Sequence, residues 1–292
     1  MKRIAFITSS DDPNLIHDDQ LAIQPLKQLG FSVAPLVWDR AGEDLGQFDA
    51  FIFRSCWNYH VKFDQFLKWL GELRSQKKPI LNPLDVSIWN LNKSYFLELQ
   101  AKGAALPRTV WIKRGSLFET PEVKAKINLF ASGLIVIRPA VSLNGHDTYL
   151  VDVKDEQKLK EIWRSMPLER DVIVQEFVPE IRSSGETSLI FMNGEFSHAI
   201  RKTPAANEFR IHAEYGGKRS PVTPPAELID QARDILALVS ESLLFARVDM
   251  IERPQGAVLV ELEIIDPMLF LGYAEGAPER FARAIAKQLA QI

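Results

Sequence analysis

Three carboxylates in an otherwise apolar stretch carry the first chemical signal. Residues 246–264 read ARVDMIERPQGAVLVELEI and hold Asp249, Glu261 and Glu263. Two apolar runs interrupted by Pro254 and Gly256 predict a β-hairpin with its loop at 253–257. Side chains alternate faces along a strand, so Val248 and Met250 share one face and Arg247 and Asp249 the other. On the return strand Val258, Val260, Leu262 and Ile264 share a face, and Glu261 and Glu263 take the opposite one. That parity sets Asp249 across from Glu261 and Arg247 across from Glu263. Opposed like charges destabilise a sheet, so the Asp249–Glu261 pair calls for a cation. A hard divalent ion such as Mg²⁺, which takes carboxylate and phosphate oxygens, is one answer. A solvated outer face with an Arg247–Glu263 surface pair is the other.

The second signal is basic. Arg201 and Lys202 end one predicted strand, and Arg210 follows in NEFR. Lys93 opens a helix in NLNKS, and Arg138 ends an apolar strand before the loop PAVSLNGHDT. Singly each is an ordinary surface charge. Together, in a chain of net charge −3, they imply a local anion-binding cleft rather than a nucleic-acid surface. The loop 140–147, with small residues and Gly145, either closes over phosphates through its backbone N–H groups or is a plain connection. The stretch VQEFVPEI (174–181) either serves an adenine or is a core strand leaving the sheet.

Substrate-facing candidates are fewer. FRSCWNYH (53–60) follows a predicted parallel strand, and open α/β sheets place ligands at such strand ends. There Arg54 would pair with a substrate carboxylate, and Trp57, Asn58 and Tyr59 would line a pocket; a surface loop is the competing reading. Asp18 and Asp19 either meet an amine or start a helix. The five histidines lack metal-ligand spacing.

These residues need elements to position them. Strands at 3–9, 31–38, 48–55 and 79–82 alternate with helices at 18–30 and 63–76, which implies a parallel sheet. Helix 63–76 is expected to bury Phe63, Phe66, Leu67, Leu70 and Leu73. A linker from residue 82 leads into a helix ended by Gly103, and a second unit begins near 105. It holds strand, loop and strand over 133–151, a buried strand at 171–181, and a hairpin over 186–202 turning at Asn193-Gly194. Helix 225–244 aligns Leu228, Ala232, Ile235 and Val239, and a closing helix follows 276.

The bulk properties exclude several classes. At 292 residues the chain suits one large domain or two to three smaller ones. The single cysteine, Cys56, rules out an internal disulfide or a Cys-based zinc site and suits a reducing, cytoplasmic setting. The start MKRIAFITSSDD reaches acidic residues before a secretory apolar region forms, and no apolar run approaches a membrane span. There is no G-x-G-x-x-G after the first strand, no phosphate loop of the G-x-x-x-x-G-K-[ST] type, and no G-x-S-x-G.

The ordered set NLNKSYFLELQAKGAALPRTVWI, IVIRPAVSLNGHDTYLV, VIVQEFVPEIRSSGETSLIF, FSHAIRKTPAANEFRIHAEYGGK and FARVDMIERPQGAVLVELEIIDPMLFL resembles the ATP-grasp superfamily over about residues 88–272. The likeness is to the glutathione synthetase-like and ribosomal-protein glutamate ligase-like branch. PAVS…DT and ELE are also similar to proteins resembling the cyclo-ligase of cycloserine biosynthesis. The resemblance implies mixed α/β and α+β architecture: an ATP-grasp fold preceded by a Rossmann-like open-sheet domain. The expected divisions are 1–86 for a substrate-binding α/β domain and 87–292 for the ATP-grasp domain, with a lid at about 106–177.

The resemblance also implies roles. Asp249 and Glu261 look like the Mg²⁺ pair, with Glu263 where the family usually has Asn as a further ligand. Gln175, Glu176, Phe177 and Val178 look like the adenine linker, and Glu186 the ribose acid. Lys93, Arg138, Ser142, Gly145 and Lys202 would contact ATP, with Arg138 standing where most members have lysine. Arg201 and Arg210 look like the arginines near the γ-phosphate and acyl phosphate. The implied reaction joins a small amino-acid-like or peptide carboxylate to a nucleophile, usually an amine, otherwise a thiol or hydroxyl, through an acyl phosphate. It implies ATP and Mg²⁺ (or Mn²⁺) as cofactors, a homodimer or homotetramer, and no nucleic-acid or membrane partner. Two other readings stay open: a divergent ATP-binding protein without ligase activity, favoured by Arg138 and Glu263, and a ligase that modifies peptide or protein termini.

Overall fold

Four parallel strands open the chain in the computed structural model, which describes residues 1–130, 133–167 and 169–292. The elements run β1 (Lys2–Thr8), α1 (His17–Gln20), α2 (Ile23–Gln28), β2 (Phe31–Val37), β3 (Ala50–Ser55), α3 (Phe63–Ser75) and β4 (Ile80–Leu81). The sheet order is β2-β1-β3-β4. β1 and β3 lie at its centre, covered on both faces, so their sequences are nearly continuous apolar runs. The helix expected over 18–30 is two short helices, ended by Gly30 at φ +85°. In α3 the buried face is Phe66, Trp69, Leu70 and Leu73, while Leu67 is exposed. The aromatic cluster explains the rotation: Trp69 joins Trp38, whose ring packs edge-on to Phe66 at 4.7 Å.

The expected linker contains α4 (Leu84–Asn90) before α5 (Tyr95–Ala101), and Gly103 ends α5 at φ +99°. The next unit is β5 (Thr109–Ile112), α6 (Pro121–Asn128), β6 (Leu134–Pro139), β7 (Tyr149–Asp152), α7 (Glu156–Ser165) and β8 (Val172–Glu176). It forms an antiparallel sheet ordered β5-β8-β6-β7. Val123, Ile127, Leu159, Ile162 and Trp163 from the two helices pack on Ile112, Ile135, Ile137 and Val174. Each helix starts on a side-chain cap, Thr120 for α6 and Asp155 for α7. The lid span of about 106–177 includes residues 131, 132 and 168, which lie outside the described residues.

The last unit runs α8 (Glu180–Ser183), β9 (Glu186–Met192), β10 (Glu195–Thr203), β11 (Lys218–Val222), α9 (Ala226–Ala237), β12 (Phe245–Ile251), β13 (Val258–Glu263) and α10 (Ala277–Leu289). Its sheet is ordered β11-β10-β9-β12-β13. Asn193 (φ +50°) and Gly194 (φ +78°) make the left-handed turn of the β9–β10 hairpin. β11 has no counterpart in the sequence reading. Its residues, KRSPV, show no apolar alternation, and Pro221 is accommodated because β11 is an edge strand. Val239 lies beyond the end of α9.

The β12–β13 register pairs Arg247 with Glu263 and Asp249 with Glu261, as parity predicts. One residue further the parity breaks. Met250 pairs with Leu259, so a bulge carries Val260 out of the expected apolar face and into a cleft, while Val258 and Leu259 are both fully buried. The outer edge of β13 is sealed by side chains from the preceding helices. Asn90 donates to Leu262 O (2.8 Å) and accepts from Ile264 N (2.8 Å), and Leu262 N donates to the Tyr95 hydroxyl (3.2 Å). Asn82 likewise bonds Phe245 O (2.8 Å) and Ile264 O (2.7 Å), anchoring the end of β4 to the hairpin.

Candidate active site

β13 and the segment after it lay out one cleft, a cavity of about 260 Å³. At one end Val260 and Ile251 meet Val178 and Ile181, which makes an apolar slot. The same cleft is lined by Glu261 and Glu263 of β13, by Asp266, Met268 and Phe270 of the segment after it, and by Trp57 and Tyr59.

The charged middle answers the problem of opposed carboxylates. Asp249 is buried and accepts from Arg247 Nε (3.0 Å), Lys202 Nζ (3.0 Å) and Ser188 Oγ (2.6 Å). Burial opposes ionisation of Asp249, but the Arg247 and Lys202 charges outweigh it and hold the carboxyl well below its usual range. Glu261 accepts from Lys93 Nζ (3.0 Å), Arg138 Nη1 (3.0 Å) and the Tyr95 hydroxyl. Burial works against its charge as well, and Lys93 and Arg138 bring its pKa below normal. Lys93 is lowered by burial, which the Glu261 charge partly offsets. Glu263 pairs with Arg247, yet burial leaves its carboxyl raised.

Side-chain cations from four separate segments thus neutralise the hairpin carboxylates. The oxygen-only donor set suits Mg²⁺, which commonly takes one or two carboxylates and completes its shell with phosphate oxygens and water. Among the described residues no cluster of three or more His, Cys, Asp or Glu is spaced as a ready metal cage. Asp249 and Glu261 fit Mg²⁺ as a phosphate-bound ion rather than as a preformed protein site.

Most of the residues singled out from the sequence meet in this cleft. Lys93, Arg138, Ser142, Gly145, Gln175, Glu176, Phe177, Val178, Glu186, Lys202, Arg210, Asp249, Glu261 and Glu263 all line it. Gln175 accepts from Arg138 Nη2 (2.8 Å), which links the β8 end to Glu261. Glu186 lies 2.5 Å from Lys202 Nζ, and burial pushes its carboxyl up to about 7 despite that lysine. Gly145 adopts φ +67°, and a Cβ there would sit 3.2 Å from the His212 ring and 3.4 Å from Arg210 Cδ. The loop 140–147 therefore lies directly against the segment bearing Arg210, whose guanidinium pairs with Glu208 (2.7 Å) over the Tyr215 ring.

Three expectations fail, each for a physical reason. Arg201 does not line the cleft. It neighbours Lys202 on β10, so strand alternation sends it to the other face, where it bonds Ser184 O (2.7 Å) and Glu252 (2.9 Å). Arg54 is not available to a substrate carboxylate. It is wholly buried, pairs with Asp19 (2.7 Å), bonds Pro267 O (3.1 Å), and lies over Phe245 and Phe281. That pairing also takes Asp19 away from any amine. Asn58 turns inward to Trp38 Nε1 (2.9 Å) and Asp39 (2.8 Å). Trp57 and Tyr59 do line the cleft, with Trp57 Nε1 bonded to Asp266 O (3.0 Å).

The sequence reading missed Asp266, His212 and Arg219, which also line the cleft. Asp266 was visible as a lone carboxylate before a proline in EIIDPMLF. Burial and then the Glu263 charge push it up to about 8. His212 is pushed down to about 3 by burial and by the Lys202 and Arg247 charges. Arg219 carried no signal, because β11 carried none.

Comparison with known proteins places the chain in a family. Residues 120–271 match the family model described as the ATP-grasp domain of prokaryotic glutathione synthetase. Residues 4–82 match the N-terminal domain of the D-cycloserine synthetase DcsG. The chain is 25% identical over 304 residues to the cycloserine biosynthesis protein DcsG of Streptomyces lavendulae, covering 98% of each chain. It is 31% identical over 100 residues to the glutathione synthetase of Bradyrhizobium diazoefficiens, covering 32% of this chain and 29% of that one. The crystal structure of D-cycloserine synthetase DcsG superposes with a TM-score of 0.87 at 22% identity, covering 98% of this chain and 99% of that one. The D-alanine–D-alanine ligase of Bacillus anthracis complexed with ATP superposes at 0.67 and 16% identity, covering 100% and 98%. The chain belongs to the ATP-grasp ligases with a glutathione-synthetase-type ATP-grasp domain, enzymes that form C–N bonds using ATP and Mg²⁺.

Proposed function

We propose that the enzyme joins a small carboxylate, amino-acid-like or peptidic, to an amine through an acyl phosphate. The observation that supports this most is that one cleft joins an apolar slot to a cation–carboxylate cluster on β12 and β13. In this reading the slot of Phe177, Val178, Ile181 and Val260 takes adenine, with Gln175 and Glu176 beside it and Glu186 on the ribose. Lys93, Arg138 and Lys202 receive phosphate oxygens, exchanging part of their present pairing with Glu261 and Asp249. Mg²⁺, held by Asp249 and Glu261 with Glu263 nearby, would spread the charge that develops during phosphoryl transfer.

The substrate carboxylate oxygen forms a bond to the γ-phosphorus, the β–γ bridging bond breaks, and ADP leaves. The amine then adds to the acyl carbon, inorganic phosphate departs, and the amine loses a proton. Arg210 sits where the loop 140–147 meets it, which suits a group that steadies the acyl phosphate as the loop excludes water. On this reading residues 1–86 form the substrate-facing α/β domain, and 87–292 form the ATP-grasp domain with its lid at about 106–177. The single thiol, Cys56, is buried, which suits the reducing cytoplasm.

The test is ADP release from ATP with Mg²⁺ across a panel of amino acids and dipeptides, with product mass measured. ADP release dependent on one acid, with a condensed product, supports the proposal. Tight ATP binding with no acid-dependent ADP refutes it and favours a nucleotide-binding protein without ligation. Activity confined to protein or peptide termini favours the terminus-modifying reading.

A further inference from the structure

Six basic side chains line the cleft: Lys93, Arg138, Lys202, Arg210, Arg219 and Arg247. Five have carboxylate partners. Lys93 and Arg138 pair with Glu261, Lys202 with Glu186 and Asp249, Arg210 with Glu208, and Arg247 with Asp249 and Glu263. Arg219 has none among the described residues. Its Nη1 donates only to the Met268 thioether (3.3 Å), a weak acceptor, and its buried Nε has no partner. Its guanidinium lies over the Phe270 ring, 5.4 Å from the centroid. Buried polar atoms are ordinarily hydrogen-bonded, and the Arg219 Nε is not.

Position sets this group beside the phosphate cluster, where an acid carboxylate would meet the γ-phosphate. Arg219 is the cross-strand neighbour of Lys202, one strand further out, on the edge strand β11. Its contacts, Met268 and Phe270, lie past Asp266 on the segment leaving β13 and line the same cleft. That segment is held partly by the N-terminal domain, since Trp57 Nε1 bonds Asp266 O and Arg54 bonds Pro267 O. Arg247 also lies over the Phe270 ring, 5.6 Å from the centroid, and Phe270 holds a left-handed backbone at φ +53°.

We infer that Arg219 is the specificity-determining residue of the cleft, receiving a carboxylate of the acid substrate on its free guanidinium edge above Phe270. This rests on the ligase reading above and adds which residue reads the acid. A planar guanidinium bonds a carboxylate through two parallel N–H···O contacts and discriminates against a neutral amide of the same shape. Arg219 thus makes charge, rather than size alone, the requirement at this place.

The test measures binding without turnover. Thermal shifts are recorded with Mg·ADP present, for a panel of amino acids and dipeptides and for the C-terminal amide of each. The wild-type protein is expected to respond to acids and not to their amides. Arg219→Met should weaken acid binding about 10- to 100-fold, leave Mg·ATP affinity unchanged, and lose the preference for acid over amide. Arg219→Lys should restore part of it. In turnover the Met variant should raise KM for the acid and not for ATP. Acid binding unchanged by Arg219→Met overturns the inference, as does a wild type that binds Mg·ATP but prefers no acid over its amide. Loss of ATP and acid binding together would make Arg219 a phosphate ligand, which also overturns it. Failure of the wild type to bind Mg·ATP would instead defeat the ligase reading underneath.

Discussion

Asp249 sits directly across the β12–β13 hairpin from Glu261, and the two are neutralised by different cations: Arg247 and Lys202 hold the first, Lys93 and Arg138 the second. Opposed carboxylates are tolerated here because four basic side chains from separate segments converge on them. Those cations and carboxylates are also what phosphate and Mg²⁺ would compete for. On the proposed function, ATP would exchange with these ion pairs.

Glu261→Gln should lower kcat/KM on the order of 10²–10³-fold. It removes the charge shared by Lys93, Arg138 and the Tyr95 hydroxyl. ADP release at saturating ATP, titrated with Mg²⁺, reads this directly. Full activity at ordinary Mg²⁺ would show that Glu261 does not hold the metal.

Neighbouring residues on β10 should behave oppositely. Lys202→Met is expected to lose most activity, because Lys202 faces the cleft and pairs with Glu186 and Asp249. Arg201→Met should leave kcat/KM near wild type and cost about 0–1 kcal/mol of stability, because it breaks a partly exposed pair with Glu252. Equal losses from the two variants would contradict the strand parity assigned to them.

Asp19→Ala should destabilise the fold by about 3–5 kcal/mol. It would strand the Arg54 charge, which is wholly buried between Phe245 and Phe281. Replacing both partners, Asp19→Leu with Arg54→Met, should recover much of that loss. Urea denaturation midpoints of the single and double variants measure it. A single variant as stable as wild type would mean the pair is not buried in solution.

Asp266 should give stability a particular pH slope. Its folded-state pKa is raised from 3.8 to about 8 by burial and the Glu263 charge. Between those values the folded chain keeps a proton that the unfolded chain has lost. Stability from this group is therefore complete below about pH 4 and falls as pH rises toward 8, by at most about 1.4 kcal/mol per pH unit. Asp266→Asn should flatten that fall in denaturation curves from pH 5 to 8. An unchanged slope would place the raised proton elsewhere.

Much of this was legible before any coordinates. Parity alone set Arg247 against Glu263 and Asp249 against Glu261, because a hairpin with one buried face has a single workable register. The Asn193-Gly194 turn and the parallel order of the first sheet follow from local chemistry in the same way. Parity also carried the correction for Arg201, since it cannot share a face with Lys202.

Other features had no local signature. The bulge that turns Val260 into the cleft depends on how β13 meets β12, not on its own residues. β11 is polar at an edge, so nothing in KRSPV announces a strand, and Arg219 stayed hidden with it. Arg54 looked like a substrate anchor because its partner Asp19 lies 35 residues away. The sequence determined most of the elements, the pairing of Arg247 with Glu263 and Asp249 with Glu261, and the family, because those follow from period, turn chemistry and ordered motifs. Only the tertiary structure decided which cations of the cleft are spent on internal carboxylates and which has none among the described residues, because ion pairing depends on distances between segments far apart in the chain.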